Sequence, residues 1–148
     1  RGVYREGPNG FNVPFGHYKK TPTIITESEI NSIGELIKDV VFICADFAQS
    51  MTNVTEGDFV YLDPPYAPEN SKSFVGYTTK GFDIDMHKKL FKLTKGLALK
   101  GAKFTMSNAN VDLVRKNFEG YSMTEISARR ACNSKNPGAK TTEVIINN

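Results

Sequence analysis

Cysteine is nearly missing from this chain: it occurs twice in 148 residues, as Cys44 inside an apolar run and Cys132 in a polar tail. With no paired spacing, the two support neither a disulfide framework nor a zinc site, and they suit a reducing, intracellular setting. Long hydrophobic runs are missing as well. No stretch approaches the ~20 apolar residues that span a bilayer, and no signal peptide is visible, so neither a membrane nor a metal is expected as a partner. There is no internal repeat, and 39% hydrophobic with 24% charged residues is the composition of a soluble globular domain with room for one core.

Net charge is small, +3, but unevenly spread. Residues 1–20 carry Arg1, Arg5, Lys19 and Lys20 against Glu6, and residues 128–143 carry Arg129, Arg130, Lys135 and Lys140 against Glu143. Folded to one face, the two ends would meet phosphates. Scattered solvated charge is the alternative.

Residues 1–23 are rich in Gly, Pro, Asn and aromatics without periodicity and read as a long irregular loop. Thr26 and Glu29 have capping-box spacing, and Ile30, Ile33 and Ile37 recur on one side, which predicts a helix over 27–38. Val40-Val41-Phe42-Ile43-Cys44 reads as a buried strand ending near Asp46, and Phe59-Val60-Tyr61-Leu62 as a second. Asp83 caps a helix with Met86, Leu90, Leu93 and Leu97 as its stripe, closed by Gly101, and His87 in its first turns is expected at the surface. A third strand runs from Lys103 to Ser107, and Asn110 caps a short helix with Val111, Val114 and Phe118. Ser122 to Ala128 and Val144-Ile145-Ile146 then predict an antiparallel edge hairpin on an otherwise parallel sheet. Alternating strands and helices give an α/β, doubly wound architecture, in which ligands bind outside the carboxyl ends of strands.

One such end is Asp63-Pro64-Pro65-Tyr66. Successive prolines have fixed φ and no N–H, so the strand stops in a rigid turn that holds a carboxylate, free carbonyls and an aromatic face around one small space. That trio suits a planar exocyclic amine, whose hydrogens need acceptors and whose ring needs a stacking surface. For Asp63 alone, a turn-forming or capping carboxylate is the structural alternative.

Taken in order, Gly10-Phe11-Asn12-Val13-Pro14-Phe15-Gly16-His17-Tyr18-Lys19, Ala45-Asp46-Phe47, Tyr61-Leu62-Asp63-Pro64-Pro65-Tyr66, Phe74-x-x-Tyr77 and Met106-Ser107-Asn108 resemble the Dam-like (D12 class) adenine-N6 DNA methyltransferases. The resemblance implies a Rossmann-like fold, S-adenosylmethionine as methyl donor, double-stranded DNA as substrate and a restriction-modification setting. It also implies that Asp63 and the Pro64 carbonyl, with Pro65 shaping the turn, accept hydrogen bonds from the adenine amino group and hold it in line with the methyl sulfonium. Tyr66 would stack on the flipped-out base. Asp46, Phe47 and Asp63 would contact the cofactor. Residues 1–23 would end a target-recognition segment and 24–148 would be the C-terminal part of the catalytic domain. In the recognition segment, Arg5 would read a guanine edge, with Asn12, Pro14 and Tyr18 beside it. Phe11 and Phe15 are expected to pack the loop. Phe74 and Tyr77 would either stack beside the flipped base or pack, and Arg130 would meet phosphate or solvent.

The family's Gly-rich Phe-x-Gly-x-Gly cofactor loop has no counterpart between Arg1 and Asn148. The expectation is therefore a partial fold without its first strands, inactive alone, which self-associates or associates with a missing N-terminal half through an exposed sheet edge. Two other readings remain: amino-methylation of RNA or cytosine N4, and a noncatalytic DNA-binding or assembly module derived from such an enzyme.

Overall fold

The computed structural model describes residues 24–68, 81–129 and 140–148, together with the backbone of Glu6–Gly7 and Gly10–Phe11. The chain divides into two compact units, Arg1–Ile43 and Cys44–Asn148.

In the first unit, the expected irregular loop contains a small antiparallel ladder between β1 (Glu6–Gly7) and β2 (Gly10–Phe11). Helix α1 (Glu27–Leu36) starts as the capping box requires. Thr26 Oγ1 accepts from the Glu29 amide, and the Glu29 carboxylate accepts from the Thr26 amide at 2.7 Å. The expected strand at residues 40–44 does not form: the segment is irregular, with Val41 80% and Phe42 75% exposed. An apolar run becomes a strand only where a neighbour completes its ladder, and among the described residues none pairs with this one.

The second unit is built on a four-stranded mixed sheet. After the single turn α2 (Phe47–Ser50), β3 (Phe59–Leu62) pairs in parallel with β4 (Lys103–Ala109). Helix α3 (Ile84–Leu99) connects them, and α4 (Asp112–Asn117) follows β4. β5 (Ser122–Arg129) and β6 (Lys140–Asn147) add the expected antiparallel pair, with order β3-β4-β6-β5. Asp83 caps α3 by accepting from the Asp85 and Met86 amides, and Gly101 terminates it at φ +83°, a conformation that glycine adopts without a Cβ penalty.

Side chains alternate across the strands, so the core lies on one face. Val60, Leu62, Phe104, Met106, Val144 and Ile146 meet α3 and α4, where Phe91, Phe104, Phe118 and Tyr121 form edge-to-face and tilted ring pairs. On the opposite face Phe59 and Tyr61 are 65% and 62% exposed. Among the described residues, α3 and α4 cover the first face, while Phe59 and Tyr61 leave the β3 part of the other face open, so the sheet is mixed α/β with helices on one side.

Three local expectations are corrected. His87 is fully buried rather than at the surface, because the inward stripe of α3 is His87, Leu90, Phe91, Thr94 and Leu97, turned slightly from the expected one. Asn110 does not cap α4: Val111 occupies that position without a side-chain bond, and Asn110 Oδ1 accepts from Arg115 Nε at 2.6 Å. β4 continues past Ser107 to Ala109, because β6 pairs with it through Ala109.

Candidate active site

The parallel register puts Leu62 opposite Met106, so the next residues, Asp63 and Ser107, face each other where β3 stops. Ser107 Oγ donates to Asp63 Oδ1 at 2.8 Å. The chain then turns through Pro64 and Pro65, both half-buried, and brings the Tyr66 hydroxyl to Glu143 of β6, donating to Oε2 at 3.2 Å. Glu143 pairs with Ala109, two residues along β4 from Ser107 and on the same face.

Asn108 points to the other face and holds the exit of the same turn. Its Oδ1 accepts from the Ala67 amide at 2.9 Å. Consecutive residues of one central strand thus clamp both ends of the Pro-Pro turn, Ser107 at its entrance and Asn108 at its exit. Asn108 is fully buried and its Nδ2 has no partner among the described residues.

Asp63 itself is exposed, and the Ser107 bond occupies one of its carboxylate oxygens. The Tyr66 phenol has its pKa raised above the ordinary tyrosine value, first by burial and further by the charges of Glu143 and Asp63, with the neighbouring Ser107 hydroxyl opposing. It stays protonated and donates. Two carboxylates and two hydroxyls therefore gather with a rigid Pro-Pro turn at the carboxyl end of β3 and β4, beside the Tyr66 ring, and can accept hydrogens from an amino group.

Asp46 and Phe47 belong to a separate cluster. Asp46 N-caps α2, its Oδ1 accepting from the Ala48 amide at 2.9 Å, rather than ending a strand. The Phe47 ring lies 5.8 Å from Phe82 and carries the Lys89 ammonium 5.4 Å from its centroid. Phe82 in turn packs edge-on against His87 at 4.7 Å. Both His87 nitrogens lack partners among the described residues, and burial lowers its pKa, the Asp83 charge opposing. No hydrogen bond or ring contact among the described residues joins this cluster to residues 63–66.

The fit to S-adenosylmethionine is one-sided. Asp46 is exposed and, among the described residues, its Oδ2 has no partner, while Phe47 offers a half-buried ring, so the two suit one wall of a cofactor pocket. Gly34, Gly57, Gly96 and Gly120 have open space where a Cβ would stand, and at Gly101 a Cβ would meet the Glu56 side chain, so none of these five forms a close-approach cradle. Among the described residues, no group of three His, Cys, Asp or Glu side chains could hold a metal ion, and no helix is long and apolar enough to cross a membrane. Arg5, Asn12, Pro14, Tyr18, Phe74, Tyr77 and Arg130 lie outside the described residues.

Glu143 was not legible as a site residue. Its only signal is a carboxylate amid the apolar Val144-Ile145-Ile146 run, and its partner is 77 residues away in the chain.

The model of the D12 class N6 adenine-specific DNA methyltransferase family matches residues 1–132. A type II methyltransferase, M.MjaIII of Methanocaldococcus jannaschii, is 39% identical over 137 residues, 90% of this chain and 47% of that protein. The type II methyltransferase M1.LlaDCHI of Lactococcus lactis is 34% identical, covering 99% of this chain and 53% of its own length. The DNA adenine methylase of Escherichia coli K12 is 29% identical, covering 92% and 49%. The chain spans about half the length of the curated relatives it matches.

Proposed function

The chain belongs to the D12 class of N6 adenine-specific DNA methyltransferases, and from that premise we propose that it carries the acceptor side of an active site that methylates adenine N6 in double-stranded DNA. The observation that carries this reading is the clamped turn: Asp63 and Tyr66, fixed to Ser107 and Glu143 at the carboxyl ends of β3 and β4. Adenine N6 is a weak nucleophile because its lone pair is delocalised into the ring. Asp63 and the Pro64 carbonyl accept its two hydrogens, favouring the more tetrahedral nitrogen that attack needs. Tyr66 stacks on the base, which is unpaired and flipped from the duplex at a cost of a few kcal/mol. No covalent enzyme intermediate is required.

S-adenosylmethionine is the proposed methyl donor and, when bound, supplies an electrophilic methyl group. Asp46, Phe47 and Asp63 are the residues of this chain proposed to hold it, in a Rossmann-like domain whose remaining wall comes from outside residues 1–148. Arg5, Asn12, Pro14, Tyr18, Phe74, Tyr77 and Arg130 are the proposed DNA contacts, Arg5 toward a guanine edge and Arg130 toward phosphate. The proposed setting is intracellular, where the DNA is.

The experiment is to complete the chain to the length of its relatives, fused or supplied in trans, and to follow labelled methyl from S-adenosylmethionine into DNA. Transfer by the completed enzyme and none by residues 1–148 is the expected result. No transfer by the completed enzyme would sink the proposal, and salt-sensitive DNA binding without cofactor affinity would favour a noncatalytic module.

A further inference from the structure

Resting on that functional reading, we infer that Glu143 is a positioning residue for the acceptor site, acting through the Tyr66 hydroxyl. The Tyr66 ring has two anchors. Its backbone sits between the Pro-Pro turn and the Ala67 amide held by Asn108, and its hydroxyl donates to Glu143 Oε2. Backbone and hydroxyl together define the long axis of the ring. Because a phenolic O–H prefers the ring plane, an acceptor to one side of the axis also biases rotation about it. Glu143 is placed by the β4 and β6 ladder, pairing with Ala109 and flanked by buried Val144, so this anchor belongs to the rigid part of the sheet.

Hydrogen counting shows what the carboxylate adds. Ionised Glu143 and Asp63 only accept, whereas Tyr66 and Ser107 have one hydrogen each. Glu143 takes the Tyr66 hydrogen and Ser107 gives its own to Asp63 Oδ1. Donating to Glu143 leaves the Tyr66 oxygen its lone pairs as acceptors, and Ser107 is the neighbour that opposes the rise of the Tyr66 pKa. When an amino group donates to Asp63, the Ser107 hydrogen can turn to Tyr66, freeing Asp63 Oδ1 without leaving a buried hydroxyl unpaired. Glu143 thus fixes both the ring orientation and the direction of the chain Glu143–Tyr66–Ser107–Asp63. No proton leaves its oxygen in this exchange.

The test uses the completed enzyme and a double-mutant cycle. Glu143→Ala should lower kcat by ~10-fold, the loss of one hydrogen bond to a charged group, with less effect on KM for DNA. Glu143→Gln, whose amide oxygen still accepts, should recover part of the loss. In a Tyr66→Phe background, Glu143→Ala should cost nothing further. An active wild type in which Glu143→Ala is silent, or equally costly with and without the Tyr66 hydroxyl, overturns the inference and leaves the functional proposal standing. An inactive wild type sinks the functional proposal instead. The contact is then decided on residues 1–148 by carbon-13 NMR titration of Tyr66. Glu143→Gln should lower the pH at which the phenol ionises, and an unmoved titration overturns the inference even if Glu143→Ala does not fold.

Discussion

At the scale of single residues, Asp63 and His87 are opposites: an exposed carboxylate in a polar turn and a buried imidazole without a partner. Asp63 spends one contact on Ser107 and supports no packing, so Asp63→Asn should leave stability within ~0.5 kcal/mol of wild type, as surface substitutions do. Its methyl transfer in the completed enzyme should fall ~100-fold or more, the scale seen when one preorganised polar group is lost from a reacting centre. Chemical denaturation and a rate assay on the same variant check both halves. His87 is read through pH. Burial between Phe82 and Phe91 holds its folded pKa below the ordinary value of about 6.5, with Asp83 the opposing charge. A depressed folded pKa means the neutral form is the stable one. Its contribution is complete above the unfolded value and is lost as pH falls from there through the folded value. His87→Leu should therefore flatten the acid limb of stability, measured as the urea midpoint above and below about pH 6.5. An unchanged acid limb would show that other groups cause it.

At the scale of elements, β4 is the positioning device, because Ser107 and Asn108 hold the two ends of one turn from opposite faces. Asn108→Ala should strand the buried Ala67 amide at a cost of ~1–3 kcal/mol, and its hydrogen-exchange protection should drop before that of the β4 core. Equal protection at Ala67 in variant and wild type would mean that Asn108 does not hold the turn. Local chemistry was legible here. The Thr26–Glu29 box, the Asp83 cap, the Gly101 stop and the Pro-Pro turn each depend on residues within a few positions of one another, and all lie where their spacing indicates. What depends on a distant neighbour was not legible. The Val40–Cys44 run has strand chemistry but no ladder partner among the described residues, and the phase of the α3 stripe is set by what packs on it, which turned His87 inward. The start of β4 is another case. Asn148 Oδ1 accepts from the Phe104 amide at 2.7 Å and its Nδ2 donates to the Ala102 carbonyl at 2.9 Å, so a side chain continues the ladder where β6 ends. Nothing near Asn148 in the sequence announces that role.

For the whole molecule, the proposed methylation needs both the acceptor turn and the proposed recognition segment in a completed enzyme. Cationic contacts should appear as a linear fall of log affinity for duplex DNA with log salt. Removing one phosphate-binding cation, as in Arg130→Ala, should reduce that slope by ~1 while weakening all sequences alike. A slope unaltered by Arg130→Ala would place that side chain in solvent. If the turn at Asp63 to Tyr66 presents adenine N6 for methylation, mass spectrometry of nucleosides will show it after the completed enzyme and its Asp63→Asn variant have each acted on unmethylated duplex DNA. The expected result is N6-methyladenine from the wild type and ~100-fold less from the variant, with DNA affinity retained. A methyl group found on cytosine N4 instead, or equal N6-methyladenine from both proteins, would contradict it.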